Sequence, residues 1–108
     1  MANEPWKTND FFVSEWNYAD DVRKNLKFSK NIKIHDVTLR DGEQQTGVIM
    51  TKDDKIAIAE ALAEAGVHRI EAGMPVVSPS DNEAIKEIVK RNLGPQIFSF
   101  ARCMKEDV

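Results

Sequence analysis

Three short runs of branched and aromatic residues, separated by two amphipathic helical patterns, recur at a spacing of roughly 30 residues. That rhythm restricts the chain to successive parallel strands joined by right-handed crossovers. The first run, Ile32-Lys33-Ile34-His35-Asp36-Val37, alternates and is expected to end near Leu39. Thr51-Lys52-Asp53-Asp54 then reads as a near capping box, with Asp in place of the usual Glu. The helix it opens carries Ile56, Ala59 and Ala63 on one stripe with Leu62 beside it, and Gly66 stands where a left-handed glycine ends a helix. The run Val67 to Ala72 is the second strand, stopped by Gly73 and Pro75. Ser80-Asp81-Asn82-Glu83 reads as a full capping box for a second helix, with Ala84, Ile85, Ile88 and Val89 toward the core and an end at Asn92-Leu93-Gly94-Pro95. Gln96 to Ala101 is the third strand, and the polar residues Lys105 to Val108 are placed to open a further helix.

Two α/β architectures share the order β-α-β-α-β. A doubly wound sheet favours a glycine-rich phosphate turn after its first strand, whereas Arg40-Asp41-Gly42-Glu43-Gln44 has one glycine and two acids, hostile to a pyrophosphate. A (β/α)₈ TIM barrel fits better, because it gathers polar residues at the C-terminal ends of its strands, where Arg40-Asp41 and Glu71 both fall. A whole barrel takes about 250 residues, so the chain is expected to supply about the first third of one, over residues 31–108. Residues 1–30 form a separate N-terminal arm holding Trp6, Phe11, Phe12, Trp16 and Tyr18. Within the arm Ala19, Val22 and Leu26 recur at helical spacing behind Asn17 as a cap, with Asp20, Asp21, Arg23 and Lys24 toward water. The arm is expected to cover the domain or to form an oligomer contact rather than to take part in catalysis.

Composition excludes several classes. The chain is 42% apolar and 31% charged, the balance of an ordinary globular protein. A net charge of −3 without a Lys/Arg run gives no footprint for nucleic acid or an anionic membrane surface. No stretch approaches the ~20 apolar residues of a membrane span, and Met1-Ala2-Asn3-Glu4-Pro5 is neither basic nor apolar enough for a secretory signal, so a cytoplasmic location is the default. The lone Cys103 cannot form an internal disulfide and is expected to be a small core hydrophobe.

The chemistry concentrates where the first strand stops. Arg40 is a fixed cation, Asp41 a hard oxygen donor, and Glu43 and Gln44 follow across one glycine, with Glu71 delivered by the next strand. His35-Asp36-Val37-Thr38-Leu39-Arg40-Asp41-Gly42-Glu43-Gln44 closely resembles the signature of the superfamily of 2-isopropylmalate synthase, homocitrate synthase and hydroxymethylglutaryl-CoA lyase, a group of pyruvate carboxyltransferase-type barrels. Arg69-Ile70-Glu71-Ala72-Gly73-Met74-Pro75-Val76-Val77-Ser78-Pro79-Ser80-Asp81 resembles a second motif of the same family at the expected distance. The resemblance runs from about Ile32 to the C-terminus. It implies a metal-dependent barrel that joins an acyl-CoA, typically acetyl-CoA, to a 2-oxo acid, or cleaves the reverse bond.

By that resemblance Asp41 is a ligand to a divalent cation, Mg²⁺, Mn²⁺ or Zn²⁺. Arg40 is catalytic and substrate-binding, stabilising the enolate-like oxygen as the acetyl group loses a proton. Gln44 contacts the 2-oxo acid, and Glu71 orients the reacting groups or relays a proton. Glu43 is read as a loop-folding residue and Asp36 and Thr38 as strand-end hydrogen bonders. His35 and His68 are rejected as ligands, because the family's two histidines lie on a later strand as a His-x-His pair that this sequence lacks. Gly42-Glu43-Gln44 resembles the condensing synthases rather than the lyase, and Glu71-Ala72-Gly73 with Ser78-Pro79 and Asp81 leans toward 2-isopropylmalate synthase, although Met74 departs from the usual Phe. The implied partners are 2-oxoisovalerate, pyruvate or 2-oxoglutarate and an acyl-CoA, with a homo-oligomeric assembly and an inactive isolated 108-residue chain. The alternatives are a carbon–carbon lyase on the same metal site and a non-catalytic barrel piece that self-associates through an open sheet edge.

Overall fold

A computed structural model describes residues 4–107. They divide into two compact units, split between Ile32 and Lys33. No helix among the described residues is long and apolar enough to cross a membrane.

In the first unit Ser14 Oγ accepts the Trp16 N–H at 3.4 Å and opens a 3₁₀ turn over Glu15–Tyr18. Ala19 is extended (φ −63°, ψ 131°) and separates that turn from α1, Asp20–Arg23. The expected cap at Asn17 is therefore displaced: Asn17 lies inside the 3₁₀ turn, because Ser14 has already capped the segment. The helix is also shorter than expected and ends before Leu26. Trp6 packs on Tyr18 with ring centroids 5.8 Å apart.

The second unit is a parallel three-stranded sheet in the order β1-β2-β3. Its strands are β1 His35–Asp36, β2 Arg69–Glu71 and β3 Gln96–Phe98, with His35 opposite Arg69, Asp36 opposite Ile70 and Glu71 opposite Phe98. Each strand is shorter than its alternating run. At β1 the reason is local: the Asp36 carboxylate accepts the Thr38 N–H at 2.9 Å and the Thr38 hydroxyl at 3.1 Å, and this side-chain bonding turns the backbone away from the ladder. The Val37 carbonyl then accepts the N–H groups of Arg40, Asp41 and Gly42 at 3.1, 2.8 and 3.3 Å, which closes one wide π-type turn over Thr38–Gly42. Beyond β3, pairing continues singly, from Ala72 N–H to Phe98 O and from Phe100 N–H to Gly73 O, both at 2.8 Å.

The crossovers are α2, Lys52–Glu64, and α3, Pro79–Arg91. Asp serves the capping box of α2 as Glu would: Thr51 Oγ1 accepts the Asp54 N–H at 3.2 Å, and Asp54 Oδ2 accepts the Thr51 N–H at 2.9 Å. At its far end Gly66 (φ +83°) donates to Ala63 O at 3.0 Å and Val67 to Leu62 O at 3.1 Å, a Schellman ending that needs the glycine. For α3 the cap is Ser78 rather than Ser80. Ser78 is extended and accepts the Asp81 N–H at 3.1 Å, while Pro79 at the first helical position supplies a helix-ready φ, so the helix starts two residues earlier than expected. Ser78→Ala is expected to lower stability by about 1 kcal/mol, read as a reduced urea midpoint, whereas Ser80→Ala is expected to change it little.

Leu39, Ile56, Ala59, Ile70, Ala72, Ile85 and Ile88 form one core between the sheet and the two helices. Ala84 is also fully buried, but Val89 is 55% exposed and does not join them. Cys103 is exposed rather than a core residue, since it lies in the irregular segment after β3. The expected last helix is a single 3₁₀ turn, Lys105–Asp107, with Val108 outside the described residues. Asp107 there takes Arg102 Nε at 2.8 Å, Nη2 at 2.9 Å and the Arg102 N–H at 2.9 Å, and those bonds lower its carboxyl pKa to about 2.

Candidate functional site at the strand ends

The wide turn lifts Arg40 and Asp41 off the end of β1, while β2 presents Glu71 from its last position. The two meet because Asp36 pairs with Ile70, which puts the ends of neighbouring strands level. Arg40 Nε donates to Glu71 Oε1 at 2.9 Å and Nη2 to Oε2 at 3.4 Å, a bidentate pair, and Nη1 donates to Asp41 Oδ1 at 3.1 Å. The guanidinium lies 5.2 Å from the centre of the Phe100 ring, so an aromatic face bounds it on a further side. The hydrogen bond to Glu71 holds the Arg40 pKa above its ordinary value against the opposing effect of desolvation, with smaller support from the charges of Glu71 and Asp41. Arg40 is thus a cation of fixed orientation at any accessible pH.

Asp41 differs from its neighbours in being open to solvent. Its side chain is 65% exposed, Oδ1 faces Arg40, and Oδ2 makes no hydrogen bond with the described residues. A hard carboxylate oxygen with that freedom fits a divalent cation. Among the described residues no three His, Cys, Asp or Glu side chains gather around one point.

Arg40 and Gln44 line a common cavity of about 170 Å³, together with Glu43, Asp81, Leu39, Gly73, Met74 and Val77. Gly73 (φ +129°) keeps that wall thin: a Cβ there would meet the Leu39 carbonyl at 3.5 Å in a backbone conformation L residues avoid. Asp41 and Glu71 are not among the lining residues. The structure therefore brings Arg40 to Glu71 and Asp41 on one side and to Gln44 on the other. His35 Nε2 stands 3.8 Å from Glu71 Oε2, at the back of the pair, and the His68 ring accepts the Ile34 N–H at Nδ1, 3.1 Å away.

One residue escaped sequence reasoning. Lys55 is 3% exposed, in the first turn of α2, and its ammonium donates to Glu43 Oε2 at 2.8 Å and to Asp81 Oδ1. Asp81 Oδ2 also accepts the Ser78 hydroxyl at 2.5 Å. The available signal was its phase: Lys55 precedes Ala59 by four residues and Leu62 by seven, which puts a lysine on the apolar stripe of α2. Burial would lower the Lys55 pKa, but hydrogen bonds to Asp81 and Glu43 outweigh it and raise the value. Burial likewise opposes ionisation of Asp81, and the bonds from Lys55 and Ser78 overcome it, lowering the value. The depressed Asp81 carboxyl contributes stability that is present above the unfolded carboxyl pKa of about 4 and is lost as pH falls through its folded value. The raised Lys55 amine contributes stability that is full below about pH 10 and is lost as pH rises through its folded value. Urea titrations across pH are expected to show a plateau near neutrality with a falling acid limb, and Lys55→Met is expected to flatten that limb.

A parallel α/β unit here sets an arginine–glutamate pair and a solvent-exposed, partly unpaired carboxylate at the carboxyl ends of its strands, where β/α enzymes place their sites. The HMGL-like family model matches residues 31–108, and the chain belongs to that family. It is 49% identical over 79 residues to "Probable 2-isopropylmalate synthase" of Ignicoccus hospitalis, a match covering 73% of this chain and 20% of that protein. Against homocitrate synthase AksA of Methanothermobacter thermautotrophicus it is 41% identical over 98 residues, 91% of this chain and 24% of the relative. Against 2-isopropylmalate synthase of Pyrococcus furiosus it is 49% identical over 80 residues, 74% of this chain and 16% of the relative. The chain thus spans between 16% and 24% of the length of these relatives.

Proposed function

We propose that residues 31–108 are the first β-α-β-α-β portion of a (β/α)₈ barrel and carry half the active site of a metal-dependent enzyme that condenses acetyl-CoA with a 2-oxo acid. The observation that carries this reading is the bidentate Arg40–Glu71 pair between adjacent strand ends, with Asp41 on the same turn as Arg40 and Gln44 two residues beyond it. The synthase names of the relatives supply the reaction class, and 2-oxoisovalerate is the favoured acceptor because the motifs lean toward 2-isopropylmalate synthase. When bound at Asp41, a divalent cation (Mg²⁺, Mn²⁺ or Zn²⁺) supplies Lewis acidity toward the ketone of the 2-oxo acid. Arg40 would stabilise the negative oxygen that develops on the thioester as a general base supplied from outside residues 31–108 takes the proton of the acetyl carbon. Both oxygens of Glu71 face that guanidinium, so its work is orientation of the cation. Gln44 offers its amide to the 2-oxo acid from the cavity wall.

A catalytic zinc ordinarily takes three protein ligands, so on this reading the remaining ligands come from outside these 108 residues. We place the whole protein in the cytoplasm as a homo-oligomer serving amino-acid biosynthesis. The test is a chimera in which residues 31–108 replace the matching segment of the Pyrococcus furiosus relative, assayed for CoA thiol release from acetyl-CoA with 2-oxoisovalerate, pyruvate and 2-oxoglutarate in turn. Release with at least one acceptor is expected, and cleavage activity without condensation would reverse the assignment to a lyase. Asp41→Asn in the chimera is expected to weaken Mn²⁺ binding, read by calorimetry, by at least the 10- to 100-fold typical of losing even an outer partner of a metal ligand.

A further inference from the structure

We infer that Lys55 is the positioning residue of the Arg40–Gln44 turn, and that its two ion pairs do separable work: Glu43 anchors the turn, and Asp81 joins the two helices. Its bearing on turnover rests on the acyl-transfer reading above, whereas the restraint on the turn does not.

Among the described hydrogen bonds and ion pairs, the side-chain contact of Glu43 with Lys55 is the one polar link from residues 43–49 to the helices. The backbone bonds of that stretch are local, from Gln44 N–H to Asp41 O and from Val48 N–H to Gln45 O, both at 3.2 Å. Without Glu43 the loop would be free to swing about the end of β1. Gln44 directly follows Glu43, Arg40 precedes it by three residues, and both line the same cavity as Glu43, so a shift of Glu43 is felt at both.

Lys55 suits this task for two reasons. Its ammonium is almost fully buried, so the contact is little screened by solvent and its position is set by the packed first turn of α2. It also serves two carboxylates at once. Asp81 is itself fixed by the Ser78 cap of α3, so the lysine is held from the helix side before it engages the turn. A device of this kind positions Arg40 without touching a substrate, which separates Lys55 from the catalytic residues.

The test uses amide hydrogen exchange by NMR on the full 108-residue chain. Glu43→Gln weakens the anchor from an ion pair to at most one hydrogen bond to a neutral amide, while keeping Lys55 paired with Asp81. It is expected to speed exchange at the Gly42 and Gln44 amides at least tenfold and to leave the amides of α2 and α3 within about twofold. Lys55→Met is expected to speed exchange at the turn and in the first turn of α3 together. Lys55→Arg, which keeps the charge, is expected to restore part of the protection at the turn. Unchanged exchange at Gly42 and Gln44 in Glu43→Gln would overturn the inference. So would equal acceleration in turn and helices, which marks a purely structural ion pair. In the chimera, Glu43→Gln is then expected to raise KM for the 2-oxo acid and lower kcat. If exchange responds as stated and the chimera shows no condensation, the positioning stands and the acyl-transfer reading fails.

Discussion

Arg40→Lys in the chimera is expected to reduce kcat roughly 10²- to 10³-fold, the loss typical of one preorganised donor at a developing oxyanion. Lysine keeps the charge and nearly the length, so simple electrostatic attraction would survive the change. What disappears is the fork. A single ammonium cannot meet both oxygens of Glu71 in a bidentate pair and also reach Asp41, and it lacks the flat face that lies against Phe100. Arginine is oriented before substrate arrives, while lysine would have to be oriented during the reaction. The check is steady-state thiol release at saturating acetyl-CoA, with circular dichroism to show that the fold persists. Glu71→Gln is expected to lower kcat by a smaller factor, since the amide still accepts one guanidinium bond.

Ile70→Ala is expected to cost about 3–5 kcal/mol, enough to remove much of the stability of a unit this small. Ile70 is fully buried on β2, the middle strand, and sits where the layers from both helices meet. Neighbours on two sides hold the shape of the void it would leave, so collapse into the space is limited. The matching change on an edge strand, Ile97→Ala, is expected to cost roughly half as much or less, because Ile97 is only partly buried against the same core. Urea unfolding of the two variants, followed by far-ultraviolet circular dichroism, separates centre from edge. Equal losses would mean that the sheet order does not govern the packing.

The elements with a mechanism of their own were legible in the sequence. Thr51 with Asp54, and Gly66 after the apolar stripe, announced both ends of α2 because capping is a local event involving residues within one turn. Competition between local solutions was harder to read. Two serines compete to cap α3, and Pro79 decides for Ser78 by fitting the first helical position. Asp36 and Thr38 sit in an alternating run, yet their mutual bonding ends β1 early and creates the turn on which the site depends. Arg40 and Glu71 were singled out separately, by motif. Their bidentate contact depends on the register of β1 on β2, a long-range quantity with no signature in either segment. Lys55 was overlooked because charge on a helix is ordinarily assigned to water, and only its two acidic partners make burial tolerable.

Under the proposed function Asp41 and Arg40, side by side at one strand end, form the metal and oxyanion half of an acyl-transfer site. The most direct measurement is metal-dependent CoA thiol release by the chimera and by its Asp41→Asn variant, both shown to be folded, across a Mn²⁺ titration. Release is expected to rise with Mn²⁺ in the parent and to stay near background in Asp41→Asn until Mn²⁺ is far higher. A folded parent with no release for any of the three acceptors, or an Asp41→Asn curve that overlays the parent, would contradict that assignment.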